Sequence, residues 1–297
     1  MIHITTDHLT RALGRDDSPA AYMDPGETAV FDTLDCYSNA LLPEGSTFED
    51  VNSDLNNPAT GPLYINGAQP GDMLKIRIDR IQLGPVGILD RGNNPGAFKG
   101  MFDHRVLNRI RVKDGMCIYK DKFTMPISPM IGVIGTAPAG EPVSTRTPKD
   151  HGGNMDCTRV EEGATLYLPV SVPGGLLSMG DLHAVMGEGE VGNCGVEIEG
   201  KVTVTVDVEK DLGLTFPMIE NETQWMTIAY GDDLDEAARK SVEQLHLFLV
   251  KCCGLDPDDA CMLMDMAADM IVCQIVNPCK TVRMEISKDL IEKMRVL

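Results

Sequence analysis

Residues 202–208 read Val-Thr-Val-Thr-Val-Asp-Val, an unbroken alternation that suits a strand with one buried and one solvated face and that no helical period reproduces. The same period of two recurs where Leu74, Ile76 and Ile78 alternate with Lys75, Arg77 and Asp79, again at Leu166, Leu168 and Val170, and late in the chain at Val282, Met284 and Ile286. Turns rich in Pro, Gly and Asn separate these segments. Many short strands joined by turns predict a mainly β architecture of sandwich or barrel type. Two long uncharged runs, Phe123 to Gly140 and Ala164 to Gly180, are interrupted by Pro126, Pro129, Pro138, Pro169 and Pro173. They read as buried strands joined by turns, and membrane insertion is not expected.

The period changes near residue 231. Leu234, Ala238, Val242, Leu245, Leu249 and Cys252 advance by three or four residues, and Gly254 supplies a stop. Asp256-Pro257-Asp258-Asp259 then offers a cap, a proline at the first helical position and acidic groups for the positive dipole end. From there an apolar stripe runs through Ala260, Leu263, Met264, Ala267 and Ile271. The expected organisation is a β-rich catalytic region over residues 1–230, with a helical hairpin and a terminal strand over 231–297 packed on the same domain. Met262, Met264, Met266 and Met270 fit core or interface packing better than soft-metal binding, and such a surface suits either a homo-oligomer or a hairpin buried within one chain.

With 45 acidic against 26 basic residues, the formal net charge is −19. Such a surface is poorly matched to nucleic acid or to an anionic membrane. The nine cysteines are odd in number and irregularly spaced, with no Cys-x-x-Cys pair. That pattern suits reduced thiols in the cytoplasm and excludes a zinc ribbon or a disulfide scaffold.

Chemistry concentrates in two glycine-rich polar segments, Asp150-His151-Gly152-Gly153-Asn154-Met155-Asp156 and Gly180-Asp181-Leu182-His183 continuing to Glu190. The string Gly187-Glu188-Gly189-Glu190-Val191-Gly192 fits a dinucleotide-binding pattern, but its two carboxylates would repel phosphates. No Gly-x-Ser-x-Gly elbow is present. Cys157 is close enough in sequence to His151 and His183 for a thiol nucleophile to remain an alternative. The stronger expectation is a divalent cation. Asp181 and His183 are two apart and share a face on an extended segment, and Asn154 and Asp156 repeat that spacing. A non-catalytic, metal-stabilised binding module would need the same ligands.

The sequence resembles the acetamidase/formamidase family in His151-Gly152-Gly153-Asn154-Met155-Asp156, in Gly180-Asp181-Leu182-His183-Ala184 with Gly187 to Val191, and in Gly195-Val196-Glu197-Ile198. Further matching strings are Asn57 to Pro62, Pro129 to Gly135, Thr165 to Val170 and the helix start at Asp256 to Ala260, all in the family's order. The resemblance implies a β-rich, cytoplasmic, metal-associated enzyme that hydrolyses a short aliphatic amide to ammonia and a carboxylate, and a dimer or larger assembly. It implies Asn154, Asp156, Asp181 and His183 as metal ligands, with Asp35 a further candidate and zinc expected ahead of calcium. His151, Gly153 and Glu188 would lie at the substrate. Glu190 or Glu197 would take a proton from the attacking water and return it to the departing ammonia. Two departures stand out: Glu188 replaces the family's more frequent aspartate, and Cys157 is not part of its motif.

Overall fold

The computed structural model describes residues 1–92 and 96–295; the last two residues of the expected C-terminal region lie outside them. Two large sheets organise the chain. The first has nine strands in the order Ile2–Ile4, Thr28–Thr33, Gly200–Glu209, Met73–Leu83, Thr165–Pro169, Met218–Glu220, Gln224–Gly231, Lys280–Ser287 and Asp269–Gln274. The second, of eleven strands, runs from the hairpin Met116–Tyr119/Phe123–Pro126 through Val106–Lys113, Val86–Arg91, Glu197–Ile198 and Leu177–His183 to Met130–Gly135 and Gly152–Asn154. Ala59–Ile65 joins its middle by pairing with Leu177–His183.

One apolar cluster spans both sheets, placing Phe31, Ile76, Ile78, Val202 and Val204 with Leu63, Ile131, Leu177, Met179 and Ile198. This is the sandwich-like architecture expected from the alternation. Val202, Val204 and Val206 are each fully buried, at about 1.5–3 kcal/mol per side chain. A one-residue slip against Met73–Leu83 would turn all three outward and forfeit on the order of 5–9 kcal/mol from this strand alone.

A second apolar cluster packs the helical region onto the first sheet. Helix α1 (Leu234–Lys251) is capped by Asp233, whose side chain accepts from the Glu236 amide, and α2 (Pro257–Ala267) is capped by Asp256. Leu245, Phe248, Leu249, Leu263 and Met264 from these helices meet Met73, Tyr167, Met218, Met284 and Ile286. His246 bonds the Pro257 carbonyl at 2.9 Å and so ties the two helices together. No helix among the described residues is long and apolar enough to cross a membrane.

Four local expectations need correction. The buried stripe of α1 is Ala237, Ser241, Leu245, Phe248 and Leu249, so Leu234 and Val242 face outward. Helix α2 ends at Ala267, and Ile271 belongs to a strand, because Asp269–Gln274 pairs antiparallel with Lys280–Ser287 and its β-branched pair favours that ladder. A third helix, α3 (Lys288–Arg295), was not foreseen; with only Ile291 buried, it is too short to show a periodic stripe. Phe123–Pro126 is exposed along its whole length, an edge strand where Pro126 removes one ladder donor.

Candidate active site

Every residue of Leu177–His183 is buried. Because successive side chains alternate, Asp181 and His183 emerge on one face, as the spacing required. Antiparallel pairing then sets Glu197 directly opposite His183, and His183 Nε2 lies 3.0 Å from Glu197 Oε1. On the other side of the strand, Met130–Gly135 pairs with Leu177–His183 and also carries Gly152–Asn154, with Val133 opposite Asn154. Two residues further on, Asp156 reaches the same place: His183 Nε2 is 4.0 Å from Asp156 Oδ1 and 3.9 Å from Asp181 Oδ1.

Glu190 arrives on a turn that the C-terminal strands hold in place. The Gly189 amide donates to the Cys273 carbonyl at 3.0 Å, and the Ile275 amide donates to Gly189 O at 3.1 Å. Asp156, Asp181 and Glu190 all adopt positive φ, at 44°, 56° and 43°. For side chains other than glycine that conformation is disfavoured, and its repetition at one place marks backbone held for a purpose other than stability.

All of these groups but His183, which stands behind the carboxylates, line a 230 Å³ cavity: Asn154, Asp156, Asp181, Glu190 and Glu197, together with Cys36, Asn57, Arg105 and Asn277. Arg105 is already engaged, bound to the buried Asp90 carboxylate at 2.6 Å and stacked 3.5 Å over the Phe48 ring. Burial, reinforced by neighbouring negative charge, pushes Asp181 and Glu190 well above the usual carboxylate range and Glu197 up to about 8. Asp181 Oδ1, Glu190 Oε2, Glu197 Oε2 and His183 Nδ1 are buried without a hydrogen-bond partner.

Four buried carboxylates around one small space must either hold protons or share a cation. The Asn154 amide makes the same point. It reaches Asp156 Oδ1 and Asp181 Oδ2 at 3.3 and 3.0 Å; its nitrogen can donate to both, whereas its oxygen can face them only with a cation between. Carboxylate, imidazole and thiol groups converge here in two sets, Asp156–His183–Glu190 and Cys36–Asp181–Glu197, each with ligand atoms within 4.8 Å of one another. This donor chemistry fits a divalent ion.

The remaining expected residues are placed differently. Asp35 turns its Oδ1 to its own loop, accepting from the Tyr37 and Asn39 amides at 2.9 and 2.7 Å, and burial raises its pKa to about 6. Its neighbour Cys36 faces the cavity instead. Glu188 forms a two-pronged ion pair with Arg283, both contacts 2.7 Å, and accepts from Thr158. Neither it nor the buried His151 and Gly153 lines the cavity. Cys157 is wholly buried against Cys273 and Arg283 and is also absent from the lining. Sequence reasoning missed Cys36, although it adjoins Asp35, and Asn277, which donates to Asp156 Oδ2 at 2.5 Å from a turn with no motif of its own. Asn57, a 3.2 Å donor to Asp181, lay within a string already noted.

The same fold is found in the comparisons with known proteins. The profile of the Acetamidase/Formamidase family matches residues 14–145 and 139–277. The crystal structure of an acetamidase from Bacillus halodurans superposes with a TM-score of 0.95 at 38% identity, covering 99% of each chain. A recombinant predicted acetamidase/formamidase from Thermoanaerobacter tengcongensis gives 0.96 at 35%, covering 100% of this chain and 98% of that one. The chain belongs to the acetamidase/formamidase family. A formamidase candidate of Schizosaccharomyces pombe is 28% identical over 271 residues, which cover 67% of this chain and 64% of that protein's length.

Proposed function

We propose that the protein hydrolyses a short aliphatic amide, of formamide or acetamide size, to ammonia and the carboxylate. Family membership supports amide hydrolysis in general, and one observation carries the finer reading: buried carboxylates with unpartnered oxygens converge on a 230 Å³ cavity, with His183 Nε2 3.0–4.0 Å behind them. That volume lies below the range of cavities that take drug-sized ligands, which suits a small substrate.

Asp156, Asp181 and His183, with the Asn154 oxygen, would hold a divalent cation, zinc ahead of calcium because an imidazole is among the donors. Such an ion, when bound, polarises a carbonyl and eases deprotonation of water. Asn57 and Asn277 orient Asp181 and Asp156 through their side-chain amides. Of the two glutamates left open by the sequence, Glu190 is the proton carrier. It lines the cavity with a free Oε2, whereas Glu197 is engaged by His183 at 3.0 Å. Burial and the neighbouring Asp156 raise the proton affinity of Glu190, so its carboxylate, ionised beside the cation, would be basic enough to accept a proton. It takes a proton from the attacking water and gives it to the nitrogen as the C–N bond breaks, which a basic leaving group requires. The protein is proposed to act in the cytoplasm as a homodimer or larger homo-oligomer, with exposed Met262, Met266 and Met270 at the contact.

Ammonia release from formamide, acetamide and propionamide, measured before and after chelation, tests the reading. Turnover should vanish with the ion, return on its addition and survive Cys157→Ala. Full turnover by verified metal-free protein would refute it, and retention of an ion without turnover of any amide would leave a binding module instead.

A further inference from the structure

Cys36 has no part in the reaction just described, yet the fold delivers it to the cavity with care. Asp35 and Asn39 lock the turn around it: Asp35 Oδ1 accepts two backbone amides, Asn39 Oδ1 accepts the Asp35 amide at 2.9 Å, and Ser38 and Asn39 sit at φ of 53° and 63°. The sulfur of Cys36 and the carboxylates of Asp181 and Glu197 lie within 4.8 Å of one another. Nearby Cys194 makes an instructive contrast, since its sulfur accepts from the Asp90 amide and donates to the Asp90 carbonyl and is thereby satisfied by backbone.

Two further observations indicate that this corner is a ligand set. Glu197 Oε2 and Asp181 Oδ1 are buried with no partner, on residues each 2% exposed. The charge balance also leaves room for more than one ion. Asp156, Asp181, Glu190 and Glu197 carry four negative charges when ionised; one divalent cation offsets two of them, and the rest is met by protons or by a second ion. Asp181, with two oxygens, borders both sets.

We propose that Cys36, Asp181 and Glu197 form a second divalent-cation position beside the Asp156–Asp181–His183 position, and that the cysteine makes it selective for zinc over calcium or magnesium. The inference rests on the metal-dependent reading above. Thiolate sulfur prefers borderline and soft ions, whereas calcium and magnesium take oxygen. Binding replaces the S–H bond with a sulfur–metal bond, and the proton leaves to solvent with no change of oxidation state.

The test uses the full chain, stripped with a chelator and titrated with cobalt(II), a spectroscopically visible stand-in for zinc. The wild type should bind two equivalents and develop near-ultraviolet thiolate-to-cobalt absorption. Cys36→Ser should bind one equivalent without that absorption, while His183→Ala should lose an equivalent and keep it. Each variant that still holds its one ion also shows that it has folded. A single equivalent in the wild type without thiolate absorption would overturn the second position while leaving the first intact, as would undiminished absorption in Cys36→Ser. No cobalt binding in any form would overturn both readings. In competition, excess calcium should fail to displace the thiolate-bound ion, and zinc should succeed.

Discussion

Gly132→Ala should damage the site through one methyl group. Gly132 lies on Met130–Gly135 without a positive φ, so alanine brings no backbone strain and the outcome depends on space alone. An added Cβ would stand 2.5 Å from Asp156 Oδ1, 2.8 Å from the Asp181 carbonyl oxygen and 2.9 Å from Asp181 Oδ2. Ordinary contact begins at 3.4 Å, so the two carboxylates must retreat by about 0.5–0.9 Å. The side chain of Asp156 can rotate, but the Asp181 carbonyl is part of a buried ladder and cannot. Displacement of reacting groups by about 1 Å costs on the order of 100-fold in rate, equivalent to about 2.7 kcal/mol of transition-state stabilisation. Overpacking itself costs about 1–3 kcal/mol of stability. The assay is kcat/KM for ammonia release, together with bound metal per chain and a urea unfolding curve. Gly140→Ala, where the methyl meets nothing within 4 Å, is the control and should match the wild type in all three. A Gly132→Ala enzyme within threefold of wild-type kcat/KM, with its metal retained, would refute the placement of Asp156 and Asp181 at the chemistry.

Two other perturbations test the frame around the site. Burial, and secondarily the charge of Lys149, lowers the His151 pKa from 6.5 to about 4; the unfolded chain therefore takes up a proton that the folded state refuses, and stability falls as pH drops from 6.5 towards 4. The penalty is about 2 kcal/mol at pH 5, and urea unfolding of His151→Asn should show a correspondingly smaller loss between pH 7 and pH 5. Arg283→Met leaves Glu188 and the buried Glu285 without the guanidinium that contacts them at 2.6–2.7 Å. Breaking such a buried pair should cost about 3–5 kcal/mol in urea unfolding and lower amide turnover by loosening the turn that carries Glu190.

What the sequence disclosed follows from the range of the forces involved. Alternation is local, so Val202–Val208 and Leu74–Ile78 were legible as strands, and the Asp256–Pro257 cap located the start of α2. The spacing of Asp181 and His183 correctly put both side chains on one face. The end of α2 was not legible, because Ile271 suits a helical stripe as well as a strand and only its ladder partner decides between them. The cavity wall was harder still. Cys36 and Asn277 acquire their meaning from partners more than a hundred residues away, Asp181 and Asp156, and neither belongs to a periodic pattern. Glu188 misled for a related reason: it shares a turn with Glu190, yet the partner that claims it, Arg283, lies on a distant strand.

The hold of the last strands on the Glu190 turn sets an order of events during synthesis. Cys273, Asn277 and Arg283 emerge 83 to 93 residues after Glu190, on the order of 4–19 s later at ordinary elongation rates. Through that interval the nascent chain carries every carboxylate of the cluster but lacks the groups that hold Asp156 and the Glu190 turn. On the metal-dependent reading proposed above, the Asp156 and Glu190 side of the cluster would take its final geometry only when the closing hairpin docks, near the end of folding.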